Sequence, residues 1–169
     1  KEVNVYFNAD PGAELKRVLA TIHPDKVFIV CDTTIEEIYA TQICESLADQ
    51  FDVHKIVHTP DEANKKLGAI VKISDSFFEQ GGTSKSCICA LGGGITGNMA
   101  GFFATIAFRG IALVHIPTTF LAQLDSAADV KQSVNSALIK NSIGAYKAPD
   151  AVIVSPVFLA SLSDREIRA

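Results

Sequence analysis

CICALGGGITGNMAG, residues 87–101, is the stretch that decides the fold. A short apolar run from Cys87 to Leu91 ends in Gly92-Gly93-Gly94, Gly97 follows, and an apolar helical pattern continues through Phe108. Strand, glycine turn and helix in that order bring a backbone close to a phosphate. Glycines remove the Cβ that would block the approach, and the helix N-terminus offers free N–H groups at its positive dipole end. Gly92, Gly94 and Gly97 also satisfy G-x-G-x-x-G, a weak signal when alone. A tight strand-to-helix turn without a ligand is the competing reading, but four glycines in six positions exceed what a turn needs.

Upstream of this stretch the same unit recurs. Val3–Asn8 alternates as a strand, and Pro11-Gly12 turns into a helix over about Ala13–Ile22 that His23-Pro24 ends. Val27–Cys31 is a continuous apolar run of the kind buried in a parallel sheet. It stops at Asp32-Thr33-Thr34, where a helix over about Thr34–Ala48 begins with Glu36 and Glu37 in its first turn. Phe51–His58 reads as a third strand, and Thr59-Pro60-Asp61-Glu62 opens a helix over about Glu62–Gln80. Strand and helix alternating in this way predict an α/β, Rossmann-like and mostly parallel sheet with helices on both faces. Ligands sit beyond the carboxyl ends of such strands, where Asp32, Glu62 and Gly92–Gly94 all fall. For Asp32 and Glu62 the alternative is helix capping and dipole compensation.

The order differs from an ordinary dinucleotide fold, in which the glycine turn follows the first strand and an acidic residue lies about twenty positions later. Here the glycines follow the fourth strand, and the next strand, Ile111–Ile116, ends in Pro117-Thr118-Thr119 without a carboxylate. Beyond it Phe120–Leu124 is short and apolar, and Asp125, Asp129, Lys131, Asn135, Lys140 and Asn141 follow in a Ser-rich stretch. Lys131–Asn135 alternates like one strand of a polar hairpin. Ala151–Val154 is another apolar strand, and Pro156–Leu162 begins a helix that Ser163-Asp164-Arg165-Glu166 would cap and restart. The polar stretch reads either as a solvated loop or as a site for an anionic, hydroxyl-rich ligand, with Lys for phosphate and Asp and Asn for hydroxyls.

At 169 residues, with 48% hydrophobic and 20% charged residues, the chain is globular and long enough for a proper core. A net charge of −4 argues against a general nucleic-acid or anionic-membrane binder. No apolar run reaches the ~20 residues of a membrane span. The chain opens on Lys1 with no basic-then-apolar leader, so a trimmed start and a cytoplasmic location are expected. Cys87 and Cys89 share one face of a strand, and with Cys31 and Cys44 they read as buried thiols rather than a metal or redox pair. His115, inside an apolar strand, reads as core; His23, His54 and His58 have surface-like contexts.

The order of residues also carries a resemblance. Gly92–Gly101, Phe108-Arg109-Gly110-Ile111, Ile116–Ala122, Asp125-Ser126, Lys131, Val134-Asn135 and Lys140–Gly144 resemble the sugar phosphate cyclases, the superfamily of 3-dehydroquinate synthase. The chain would be that family's N-terminal, NAD-binding domain (residues 1–155), with 156–169 opening a C-terminal helical, metal-binding domain. The resemblance implies an enzyme that oxidises a ring hydroxyl with one bound NAD, eliminates phosphate, returns the hydride and closes a carbocycle. It implies NAD contacts at Asp32, Glu62, Lys65, Gly92, Gly93, Gly94, Asn98, Thr118, Thr119, Lys140 and Ser161. Asp125, Lys131 and Asn141 would meet substrate hydroxyls or nicotinamide, and Arg109 would help bind the substrate phosphate, often across a homodimer interface. Zinc or cobalt would be held by a Glu and two His that this chain lacks, so these 169 residues alone are expected to be inactive.

Asn98 and the run Asp129-Val130-Lys131-Gln132 depart from the dehydroquinate synthase pattern and look like 2-deoxy-scyllo-inosose synthase, the branch acting on glucose 6-phosphate in antibiotic biosynthesis. A dehydroquinate synthase of the shikimate pathway, and a non-catalytic nucleotide-binding or dimerising module, remain the alternatives.

Overall fold

Period-two alternation on each inner strand sends consecutive side chains to opposite faces, and both faces are covered. The computed structural model describes residues 3–126, 130–163 and 167; Asp129 and the Asp164-Arg165-Glu166 restart lie outside them. The strands β1 (Asn4–Phe7), β2 (Val27–Asp32), β3 (Val53–His58), β4 (Cys87–Gly92), β5 (Ala112–Pro117) and β8 (Ala151–Val154) form one parallel sheet. Their order is β1-β8-β5-β4-β2-β3. The glycine strand β4 is therefore interior, flanked by β2 and β5. The expected parallel sheet with helices on both faces is what forms.

Val27, Ile29, Cys31, Cys87 and Cys89 point to one face, where α1 (Pro11–Ile22), α2 (Thr33–Ile35) and α3 (Thr41–Leu47) cover them with Leu15, Leu19, Ile35 and Leu47. Phe28, Val30, Ile88 and Ala90 point to the other, under α4 (Leu67–Glu79) and α5 (Gly94–Ile106). There Ile73, Phe77, Met99 and Phe103 close the second core. All four cysteines are free. Burial, the largest cause, pushes the Cys31 thiol up to about 12, so it stays protonated and unreactive.

Local chemistry sets most ends. Asp10 caps α1 by accepting from the Ala13 amide at 3.0 Å, with Pro11 at the first helical position. Residues 33–47 run on as one helical stretch with a π-wound centre, Glu36–Ala40. The continuous helix expected over Glu62–Gln80 is broken instead. A 3-10 turn (Glu62–Asn64), capped by Asp61, is followed by a bend, and α4 starts only at Leu67. The bend is pulled open from a distance: the Asn135 amide donates to the Lys65 carbonyl at 2.7 Å, and Lys66 bridges Asn135.

The polar segment forms an antiparallel hairpin, β6 (Lys131–Val134) with β7 (Ile143–Tyr146). It lies on α5 because Gly101 leaves room. A Cβ there would fall 2.0 Å from Gln132 Oε1 and 2.5 Å from its Cδ, so only glycine admits the Gln132 side chain. After β8 the 3-10 turn Pro156–Ser161 returns to the sheet, with Phe158 buried in the first core against Tyr39. Among the described residues no helix is long and apolar enough to cross a membrane.

His115 on β5 is buried, as expected, and its Nε2 has no protein partner. Burial lowers it from 6.5 to about 4. Between those values the unfolded chain takes up a proton that the fold does not, so stability is lost as pH falls from 6.5 towards 4. The loss is about 3 kcal/mol by linkage. Urea unfolding of wild type and His115→Gln at pH 7 and pH 4 should show wild type losing about 3 kcal/mol more than the variant. An equal loss in both would remove His115 from the account.

Candidate functional site

Three neighbouring strands end side by side, and their last residues make the site. β2 ends in Asp32, β4 in Gly92 and β5 in Pro117, followed by Thr118-Thr119. The Thr118 amide donates to the Gly92 carbonyl at 3.0 Å, which ties the second turn to the first. Gly93 opens the 13-residue α5 without any side-chain cap. The N–H groups of its first turn are therefore left for an anion at the positive end of the helix. Asp32 Oδ1 accepts from the Thr34 and Ile35 amides, both at 3.0 Å, so it does cap a helix. Capping occupies one carboxylate oxygen and leaves the other for a hydroxyl pair. Thr118 Oγ1 is buried and has no protein partner, while Thr119 packs against the glycine turn.

A second group forms around Asn135, which belongs to the stretch read as either a solvated loop or a site for ligand hydroxyls and instead binds within the protein. Asn135 Nδ2 donates to Glu62 Oε1 at 2.8 Å, and its Oδ1 accepts from the Asn141 amide at 2.8 Å. Lys65 Nζ donates to Asn141 Oδ1 at 2.6 Å. Glu62, Lys65 and Asn141, expected at different parts of a ligand, are thus held in one network. Lys65 is buried, and its ammonium is pushed down chiefly by desolvation and secondarily by Lys140, against the pull of Glu62. Lys140 itself is exposed beside Glu62 and Asn135 on the hairpin rim.

The hairpin and α5 enclose a polar cleft of about 350 Å³ lined by Asn98, Asp125, Lys131, Gln132 and Asn141. Asn98 forms its wall: Nδ2 donates to the Gly94 carbonyl at 2.9 Å, and Oδ1 accepts from the Ser133 amide at 3.3 Å. One cation, one carboxylate and several neutral amides suit a hydroxyl-rich ligand with a phosphate. Two expected site residues are not brought here. Arg109 is exposed in a left-handed turn past the far end of α5, about 20 Å along the helix from the glycines. Ser161 is exposed and donates to its own turn at the Phe158 carbonyl.

His58 was read as a surface residue and is not one. It ends β3, half-buried, with Nε2 2.9 Å from Thr96 Oγ1 and Nδ1 3.1 Å from the Thr59 carbonyl. A carbonyl can only accept, so Nδ1 carries a proton, and in the neutral ring Nε2 accepts from Thr96. Burial, the largest cause, lowers the ring below its ordinary value. Its position at a strand end was a usable signal. His54 is also half-buried, stacked on Phe28. Among the described residues no group of three His, Cys, Asp or Glu side chains could hold a metal ion.

Comparison with known proteins fits this geometry. The 3-dehydroquinate synthase N-terminal family profile matches residues 55–169. A 2-deoxy-scyllo-inosose synthase from Streptomyces ribosidificus is 37% identical over 152 residues, covering 89% of this chain and 39% of that protein. A 3-dehydroquinate synthase from Saccharophagus degradans is 34% identical over 165 residues, 98% of this chain and 46% of that one. A crystal structure of 2-deoxy-scyllo-inosose synthase complexed with carbaglucose-6-phosphate, NAD+ and Co2+ superposes with a TM-score of 0.91 at 30% identity. It matches 97% of this chain and 46% of its own, so the chain spans less than half the length of these relatives. The chain belongs to the 3-dehydroquinate synthase N-terminal family.

Proposed function

We propose that this chain is the NAD-binding half of a sugar phosphate cyclase of the 2-deoxy-scyllo-inosose synthase type, acting on glucose 6-phosphate. The observation that carries the reading is the uncapped glycine turn at the head of α5, set between Asp32 and Thr118 and beside a polar cleft. The residues present fit NAD. The amides after Gly93 would take the pyrophosphate, Asp32 a ribose hydroxyl pair, and the unpartnered buried Thr118 hydroxyl a further polar atom. Thr119, which packs against the glycine turn, and Glu62, Lys65 and Lys140, which surround the Asn135 network, would add further contacts. When bound, NAD would supply a reversible acceptor for the hydride on a ring carbon that bears a hydroxyl, the hydroxyl itself giving up a proton.

The remaining work falls to the cleft. Lys131 presents a point charge for the phosphate, and Asn98, Asp125 and Asn141 present acceptors and amides for ring hydroxyls. Lys65 fixes the Asn141 carboxamide, so its N–H₂ faces away from Lys65. Among the described residues no group of His, Cys, Asp or Glu could hold zinc or cobalt. We place those ligands in a C-terminal helical domain that residues 156–169 lead into. Arg109, exposed away from its own cleft, would serve a second copy in a homodimer. The 34% identical 3-dehydroquinate synthase keeps shikimate-pathway chemistry as the second reading.

Gly93→Val should abolish NAD binding by calorimetry, because a branched side chain would enter the pyrophosphate path and crowd Thr119 Cγ2, already 3.1 Å from a Cβ built there. Equal binding by a folded variant would misplace the site. The 169-residue chain alone should release no phosphate from glucose 6-phosphate, with or without added zinc or cobalt. For the longer protein encoding this chain, side-by-side phosphate release should give a higher kcat/KM for glucose 6-phosphate than for the heptulosonate substrate of dehydroquinate synthases. A carboxylate left without partners in this cleft would cost about 1–3 kcal/mol or more. Preference for the heptulosonate would give the assignment to the second reading.

A further inference from the structure

A larger cleft, about 610 Å³, lies outside the glycine turn, between the edge strand β3 and α4. Its floor is apolar, made by Ile56 of β3, Ile73 of α4 and Met99 of α5. Its rim is polar and of one sign. Lys66 and Lys72 line it, and none of its lining residues is Asp or Glu. Neither lysine ammonium has a hydrogen bond or ion pair among the described residues, whereas Lys16, Lys26 and Lys55 each pair with a carboxylate. α4 begins in this cleft without a side-chain cap, and Gly68 in its first turn faces open space. Lys72 follows Gly68 by four positions, so it stands on the same helix face, about one turn away.

We infer that this second cleft binds a small organic anion, with a phosphate or carboxylate head between Lys66, Lys72 and the first turn of α4 and an apolar body over Ile56, Ile73 and Met99. Size supports this, since ligand pockets commonly run about 300–1,000 Å³ with apolar walls and few placed polar groups. Charge supports it too. Two lysines and no carboxylate among the lining residues favour an anion, whose oxygens can accept from the ammonium groups. The far wall is His58, whose Nε2 meets Thr96 in the first turn of α5. His58 thus lines this cleft and is bonded to the head of α5, so its ring is a built-in reporter of occupancy.

The probe is phenyl phosphate, which combines an apolar ring with a dianionic head; inorganic phosphate and benzyl alcohol supply the two halves separately. Titrations of the 169-residue chain are followed by NMR at the His58 ring and the α4 amides. Saturable shifts at Gly68, Lys72 and His58 are expected with phenyl phosphate, at least tenfold weaker with either half. Lys72→Gln should weaken phenyl phosphate at least tenfold while leaving NAD affinity unchanged. Ala69→Phe, which fills the cleft, should do the same without removing a charge. Shifts centred on Gly93–Thr96 would mean that the probe enters the dinucleotide cleft, and equal binding by both variants would mean that this cleft is not used. Either result overturns the inference, as does the absence of binding. Loss of NAD binding in Lys72→Gln would make this cleft part of the dinucleotide site and overturn the inference as well, whereas failure of the unsubstituted chain to bind NAD would count against the proposed function alone.

Discussion

The side-chain amide of Asn135 is the contact on which the site depends. It joins the hairpin to a turn 73 positions earlier, through Glu62, and fixes the Asn141 backbone from the other side. Lys65 then closes the group by binding Asn141 while buried. Asn135 and Lys65 are buried while Glu62 and Asn141 reach the surface, so the two buried groups must be matched: an amide or ammonium left unpaired there costs about 1–3 kcal/mol or more. The network explains why the chain bends at Lys65–Lys66 although the apolar pattern favours a single helix. A helix through that bend would carry away the Lys65 carbonyl that the Asn135 amide binds.

The glycine turn works in the opposite way, by leaving groups unmatched. Asp10 and Asp61 cap the elements they precede, but Gly93 offers α5 nothing. An uncapped helix of this length at the end of a buried strand is stable because its body is packed: Met99, Phe102, Phe103 and Ala104 are buried. Packing thus stabilises the helix while its first amides stay open to an anion. The hairpin brings Lys131, Gln132 and Asn141 to the cleft beside α5, and Gly101 under Gln132 lets it lie that close.

Much of this was legible in the sequence. Continuous apolar runs in Val27–Cys31 and Cys87–Leu91 gave the parallel sheet, and the positions just beyond them gave Asp32 and the glycines. The alternation of Lys131–Asn135 gave the hairpin. What stayed hidden depends on partners distant in the chain. His58 looked like a surface histidine because nothing nearby in sequence shows Thr96 above it. Asn135 suggested a partner for ligand hydroxyls or a solvated loop because the groups it binds, Glu62 and the Lys65 carbonyl, lie in another segment. The helix break at Lys65–Lys66 contradicts its local pattern for the same reason. Arg109, expected from the resemblance often across a dimer interface, lies past the far end of α5, and Ser161, expected on the cofactor side, bonds its own turn.

Hydrogen exchange in Asn135→Leu tests the central claim most directly. If the Asn135 network holds the hairpin over the cleft, the amides of Lys131–Val134, Ile143–Tyr146 and Glu62–Asn64 should lose about 2 kcal/mol of protection, roughly 30-fold in rate. The amides of Val27–Asp32 and Cys87–Gly92 should keep theirs, since the parallel sheet does not rely on Asn135. Unchanged hairpin protection, or a loss shared equally with the sheet, would contradict the account.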